Sequence, residues 1–103
     1  MGIPVCRLGD LSAGHCGCCC WPPTAINSAS TNVITNSRGT GRVADTLVTH
    51  CCRCGKTTIC HPGRKIAMGY PTVFVNNRQI AYVTCPISCG DVMAQGSGNV
   101  VVG

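Results

Sequence analysis

Apolar positions along this chain fall in short alternating runs broken by turn residues, with almost no helical periodicity. The clearest run is PTVFVNNRQIAYV, Pro71 to Val83. It reads as a strand TVFV, a two-residue Asn-rich turn and a return strand QIAYV, because Asn tolerates the positive φ of tight hairpin turns. A second unit, TNVITNSRGTGRVAD from Thr31 to Asp45, offers a strand at NVIT, a loop containing Asn36 and Gly39, and a return at GRVAD. The last segment, QGSGNVVVG from Gln95 to Gly103, supplies an outgoing strand and stops. Its return strand is found at the other end of the chain, where PVCRLGD matches GTGRVAD.

The spacing of polar residues supports the repeat. Arg7 and Asp10 stand 35 positions before Arg42 and Asp45, and His15-Cys16 stands the same distance before His50-Cys51. Three hairpin units, one divided between the termini, predict an all-β, pseudo-threefold cone within a single domain spanning residues 1–103. Closing the divided unit with the two termini ties the ends together and hides sheet edges.

Composition adds the main complication. Eleven of the 103 residues are cysteines, enough for a disulfide or metal scaffold to become the leading reading. They concentrate in GHCGCCCWPP, Gly14 to Pro23, and THCCRCGK, Thr49 to Lys56. An odd number leaves at least one sulfur free, bonded elsewhere or bound to metal. A net charge of +5 rests on eight scattered basic residues with only four aromatics, two Tyr, one Trp and one Phe. That is a poor match to the basic face and stacking platforms of a nucleic-acid binder. No run approaches the roughly 20 apolar residues of a membrane span, and MGIPVCRLGD lacks the features of an export signal. Synthesis in a cytoplasm is therefore expected, at odds with the usual setting of dense disulfides.

The segments RLGDLSAGH, SASTNVITN, GRVADTLVTH, MGYPTVFVNNRQIAYV, CPISCG and AQGSGNVVVG together resemble the PAAR-repeat proteins, the pointed spike tips of contractile phage tails and type VI secretion systems. The likeness runs nearly end to end; the two cysteine clusters depart from it, and nothing in the sequence looks like a fused effector. The resemblance implies a metal-bound apex, usually zinc with iron as the alternative, held by three histidines and one cysteine. Carried onto this chain, that set is His15, His50, His61 and Cys89. Cys85 competes with Cys89, although it stands where Asp10 and Asp45 stand in the repeat, and the cluster Cys16, Cys18, Cys19, Cys20 can also donate a sulfur. A narrow tip has little interior to bury, so metal binding would supply folding free energy directly.

With Cys89 as a ligand, ten cysteines remain for disulfides: Cys6, Cys16, Cys18, Cys19, Cys20, Cys51, Cys52, Cys54, Cys60 and Cys85. Several disulfides are expected at the loop end, with Cys16 and Cys51 near one another. The rival is a second zinc held by Cys16-x-x-Cys19 and Cys51-x-x-Cys54.

The implied role is mechanical. The base would cap a trimeric spike, one copy per trimer, with Val33, Val73 and Val100 near the junction, and the apex would meet the target cell envelope. A virion tail tip is the favoured location and a secreted type VI tip the alternative. Catalysis is not expected: adjacent His-Cys pairs such as His15-Cys16 and His50-Cys51 seldom share one catalytic geometry. The three carboxylates, Asp10, Asp45 and Asp91, form no obvious acid–base pair. The competing reading is a small zinc module for nucleic acid or protein partners.

Overall fold

The computed structural model describes residues 2–103. Among them there is no helix, only ten short strands paired into antiparallel ribbons. At the base, β4 (Ile34–Thr35) pairs with β5 (Arg38–Gly39), β8 (Tyr70–Val75) with β9 (Arg78–Ile80), and β1 (Ile3–Pro4) with β10 (Val101–Val102). The divided hairpin is therefore present, with Ile3 opposite Val102. The second hairpin is tighter than its sequence suggests. Its loop is only Asn36-Ser37, and Gly39 lies in the return strand. Both residues of that turn have positive φ (51° and 67°), as do Asn76 and Asn77 (53° and 64°), the combination a type I′ turn requires.

Behind the hairpins the three units close around an axis through backbone hydrogen bonds. The N–H of Cys6 donates to Ala81 O (3.0 Å), that of Gly41 to Cys6 O (2.9 Å) and that of Ala81 to Gly41 O (2.9 Å). Only small side chains suit this circuit; a Cβ at Gly41 would sit 3.3 Å from both the Ala81 Cβ and the Cys6 carbonyl. Each unit then turns a corner, closed by Asp10 N–H to Arg7 O, Asp45 N–H to Arg42 O and Cys85 N–H to Tyr82 O, all 3.0 Å. The third residue of each corner has positive φ: Gly9 at 89°, Ala44 at 73° and Thr84 at 81°. Further along, Ile26, Ile66 and Met93, each 1% exposed, accept equivalent bonds from those three corners and form the apolar centre with Leu47 and Ile87.

The corners explain a substitution in the repeat. Arg7 wraps Asp10 through Nε and Nη2, and Arg42 wraps Asp45 in the same way, at 2.8–3.0 Å. In the third unit the arginine is Tyr82, whose ring packs edge-on to Tyr70 at 6.1 Å. With no guanidinium to neutralise it, a carboxylate at Cys85 would be buried alone, so an apolar thiol occupies the site.

The two cysteine clusters form arms that leave this body. β2 (His15–Cys16) pairs with β3 (Cys20–Trp21), and β6 (His50–Cys54) with β7 (Thr57–His61) around Gly55-Lys56. Cys16–Cys20 and Cys51–Cys60 bridge directly opposite residues within each arm, while Cys18–Cys54 and Cys19–Cys52 join one arm to the other. The third unit has no arm, only a tight turn closed by Gly90 N–H to Ile87 O (3.0 Å). The arms contribute to an elongated shape of 43 × 27 × 22 Å.

Four disulfides form rather than five, which corrects the expectation for Cys6 and Cys85: both are buried thiols in the apolar centre. They occupy inequivalent places, Cys6 on the axial circuit and Cys85 at a corner, and the Cys6 thiol donates to Gln95 O at 3.2 Å. Burial raises the pKa of both, that of Cys85 to about 11, so neither offers a reactive thiolate. Cys16 and Cys51 do not pair with each other; each is closed across its own hairpin. The four cysteines of the Cys16-x-x-Cys19 and Cys51-x-x-Cys54 pattern belong to four different disulfides, so they form no common zinc site in this oxidised state.

Candidate metal centre

Where the arms leave the body, three imidazoles and one thiol converge. His15 starts β2, His50 starts β6, and His61 ends β7 directly opposite His50. Cys89 comes from the turn of the armless unit. The four donor atoms lie within 4.8 Å of one another. His50 Nε2 is 3.2 Å from His15 Nε2 and 3.1 Å from His61 Nδ1, and Cys89 Sγ is 3.8 Å from both His15 Nε2 and His50 Nε2. A zinc with ordinary Zn–N and Zn–S bonds would set tetrahedral edges of about 3.3 Å between nitrogens and roughly 3.6 Å from nitrogen to sulfur.

The chemistry of the donors also fits a cation. The Pro22 carbonyl lies 2.9 Å from His50 Nδ1. A carbonyl only accepts, so Nδ1 carries the proton and Nε2 is left with a lone pair. That lone pair faces two other ring nitrogens and a sulfur; it can accept from only one of them, whereas one metal ion engages all four donors together. Fixing the unbound nitrogen in this way is how metal-binding histidines are generally oriented. Burial lowers the pKa of His50, and the nearby Arg64 charge works in the same direction, which keeps the ring in its ligating neutral form.

Two neighbours, Trp21 and Arg64, were not singled out from the sequence. Trp21, directly opposite His15 in the β2–β3 pair, stacks on the rings of His15 (4.8 Å) and His61 (4.5 Å). Its indole N–H donates to Ile59 O at 2.9 Å, so one side chain braces two of the histidines and both arms. On the body side, Arg64 and Asp91 form a fully buried pair at 3.1 Å. Arg64 also reaches Thr24 Oγ1 (2.5 Å) and Ser12 Oγ (3.2 Å). Asp91 thus neutralises a guanidinium that would otherwise stand uncompensated beside a bound cation. The signal for this group was positional: Thr24, Arg64 and Asp91 fall at matching points of the three units, since Ser12, Leu47 and Ile87 donate backbone bonds to their respective carbonyls.

Residues 17–95 match the PAAR motif. The chain belongs to the PAAR family. The match covers most of its length, and the family provides structural spike tips in contractile injection systems. Comparison with curated proteins gives no match.

Proposed function

We propose that this chain is the single-domain tip of a membrane-piercing spike on a phage tail, a structural protein without catalysis that caps a trimeric spike through its hairpin base. The supporting observation is the pattern of apolar exposure. Ile34, Phe74 and Val101, at equivalent strand positions of the three hairpins, are 55%, 58% and 52% exposed. They replace Val33, Val73 and Val100 as the leading contact set: Val73 is half-buried and the other two are less exposed. Three similar hairpins let one chain present nearly the same apolar contact to each subunit of a threefold partner.

At the opposite end, His15, His50, His61 and Cys89 would hold zinc, with iron as the alternative, and the arms would meet the target envelope first. The ion would supply binding free energy that ties all three units together where burial cannot.

The test is native mass spectrometry of the chain with the trimeric spike protein of its particle. One copy per trimer is expected, and Phe74→Asp weakens binding by at least about 30-fold, the equivalent of ~2 kcal/mol. Equal binding by Phe74→Asp, or three copies per trimer, would sink the capping role. Tight, salt-sensitive DNA binding would favour the zinc-module reading instead.

A further inference from the structure

The four inter-arm cysteines differ from the other four disulfide cysteines in connectivity and, at three of the four, in burial. Cys16, Cys20, Cys51 and Cys60 are exposed and close each hairpin across directly opposite strand positions. Of the inter-arm four, Cys52 is buried, Cys19 and Cys54 are half-buried, and Cys18 is exposed. Cys52 and Cys54 alternate along β6 with the exposed Cys51 and Arg53 and so share the face turned toward the other arm.

The two disulfides fix the spacing of this quartet. Cys18 and Cys54 have Cα atoms 5.7 Å apart, and Cys19 and Cys52 5.8 Å. Cys18 and Cys19 are adjacent, about 3.8 Å apart, and Cys52 and Cys54 are two strand residues apart, about 6.7 Å. The four Cα atoms therefore bound a quadrilateral with no side longer than about 7 Å, compact enough for four sulfurs to meet one ion at about 2.3 Å. We propose that in the reduced chain Cys18, Cys19, Cys52 and Cys54 form a second metal site, a tetrathiolate zinc centre that joins the arms and templates the two inter-arm disulfides.

The need for such a centre follows from the arms themselves. Without disulfides, two short and largely exposed hairpins have little burial to hold them, and isolated two-stranded ribbons are marginal in water. Eight cysteines also permit on the order of a hundred pairings. Zinc on the inter-arm four would hold them in register while the other pairs close across their hairpins. A low-molecular-weight disulfide then oxidises the centre. Two protein S–S bonds form, two oxidant S–S bonds break, four electrons pass to the four oxidant sulfurs, which leave as thiolates, and Zn²⁺ departs to solvent.

The test titrates Co²⁺ into the full chain under argon, reduced with a phosphine or fully oxidised. The reduced protein is expected to bind about two cobalt ions and the oxidised protein about one. Cys18→Ser/Cys54→Ser should lose the extra ion, whereas Cys16→Ser/Cys20→Ser should keep it. His50→Ala/His61→Ala, when reduced, should keep an ion with strong sulfur-to-cobalt charge-transfer absorption, which separates this site from the histidine centre. If the oxidised protein takes up no cobalt, the histidine centre alone has failed. Equal uptake by reduced and oxidised wild type overturns the proposal, and so does a second ion retained by Cys18→Ser/Cys54→Ser or lost by Cys16→Ser/Cys20→Ser. As an independent readout, oxidised glutathione added to the zinc-loaded chain should give Cys18–Cys54 and Cys19–Cys52 on peptide mapping, while the EDTA-treated chain scrambles. The same mixture from both would remove the templating role.

Discussion

On one side of the histidines, three units lock together through circuits of backbone hydrogen bonds, two Arg–Asp corners and a small apolar centre. On the other, two hairpins of unequal length stand largely exposed and are closed by four disulfides. The body derives its stability from repetition: nearly every backbone group near the axis has an equivalent partner in the next unit. The arms have no third copy and no axis, so covalent crosslinks take over. His15, His50, His61 and Cys89 lie at the boundary, drawing one ligand from each of two units and two from the other. A metal there couples a cooperative body to a crosslinked tip.

The sharpest way to break the coupling is to remove the ligand with the most constrained geometry. His50→Ala should abolish tight metal binding and the stability that accompanies it. Structural zinc sites contribute about 10–16 kcal/mol in zinc-finger peptides, although the folded apo body here would reduce the share seen as stability. The check is thermal melting with and without EDTA. Wild type should show a large metal-dependent shift and His50→Ala none. An unchanged shift in the variant would place the metal elsewhere.

The next effect lies within the body. Asp91→Ala leaves the Arg64 guanidinium, 0% exposed, without its counter-charge. Breaking a buried pair in this way costs about 3–5 kcal/mol. The loss should appear in guanidinium denaturation, and zinc affinity should fall with it because an unpaired cation then faces the ion. Unchanged zinc affinity despite lost stability would mean that the buried pair supports the body alone.

How far each region could be read in advance follows from the same contrast. The body was legible because its repeat is written in side chains: Arg7 and Asp10 against Arg42 and Asp45, Asn-rich turns, and a last strand whose partner begins the chain. The four clustered donors, too, were named in advance from the family resemblance, with His15 and His50 in register. The second halves of the units were hidden because their spacing changes from one unit to the next, which concealed Thr24, Arg64 and Asp91 as equivalents. The arms were the least legible. Cysteine spacing does not encode connectivity, and nothing local distinguishes Cys6 from a disulfide partner. The repeat already placed Cys85 where Asp10 and Asp45 stand; the fold adds that Cys6 sits on the axis and that both thiols are buried and unpaired.

The smallest expected effect tests whether the three corners are equivalent in energy as well as in geometry. Gly9, Ala44 and Thr84 share one positive-φ position, at 89°, 73° and 81°. Glycine adopts it freely, while a Cβ there costs roughly 1–2 kcal/mol, and a β-branched residue is the least suited. Thr84 is exposed, so its side chain adds little packing to offset that strain. Thr84→Gly also gives the unfolded chain more freedom, which returns about 0.4–1 kcal/mol. The net expectation is a gain of ~0.5 kcal/mol in denaturant unfolding of the oxidised, metal-loaded protein, whereas Gly9→Thr should lose a comparable amount at the first corner. If Thr84→Gly destabilises, the third corner is held by something its two counterparts lack, and the pseudo-threefold body is less symmetric in energy than in its hydrogen bonds.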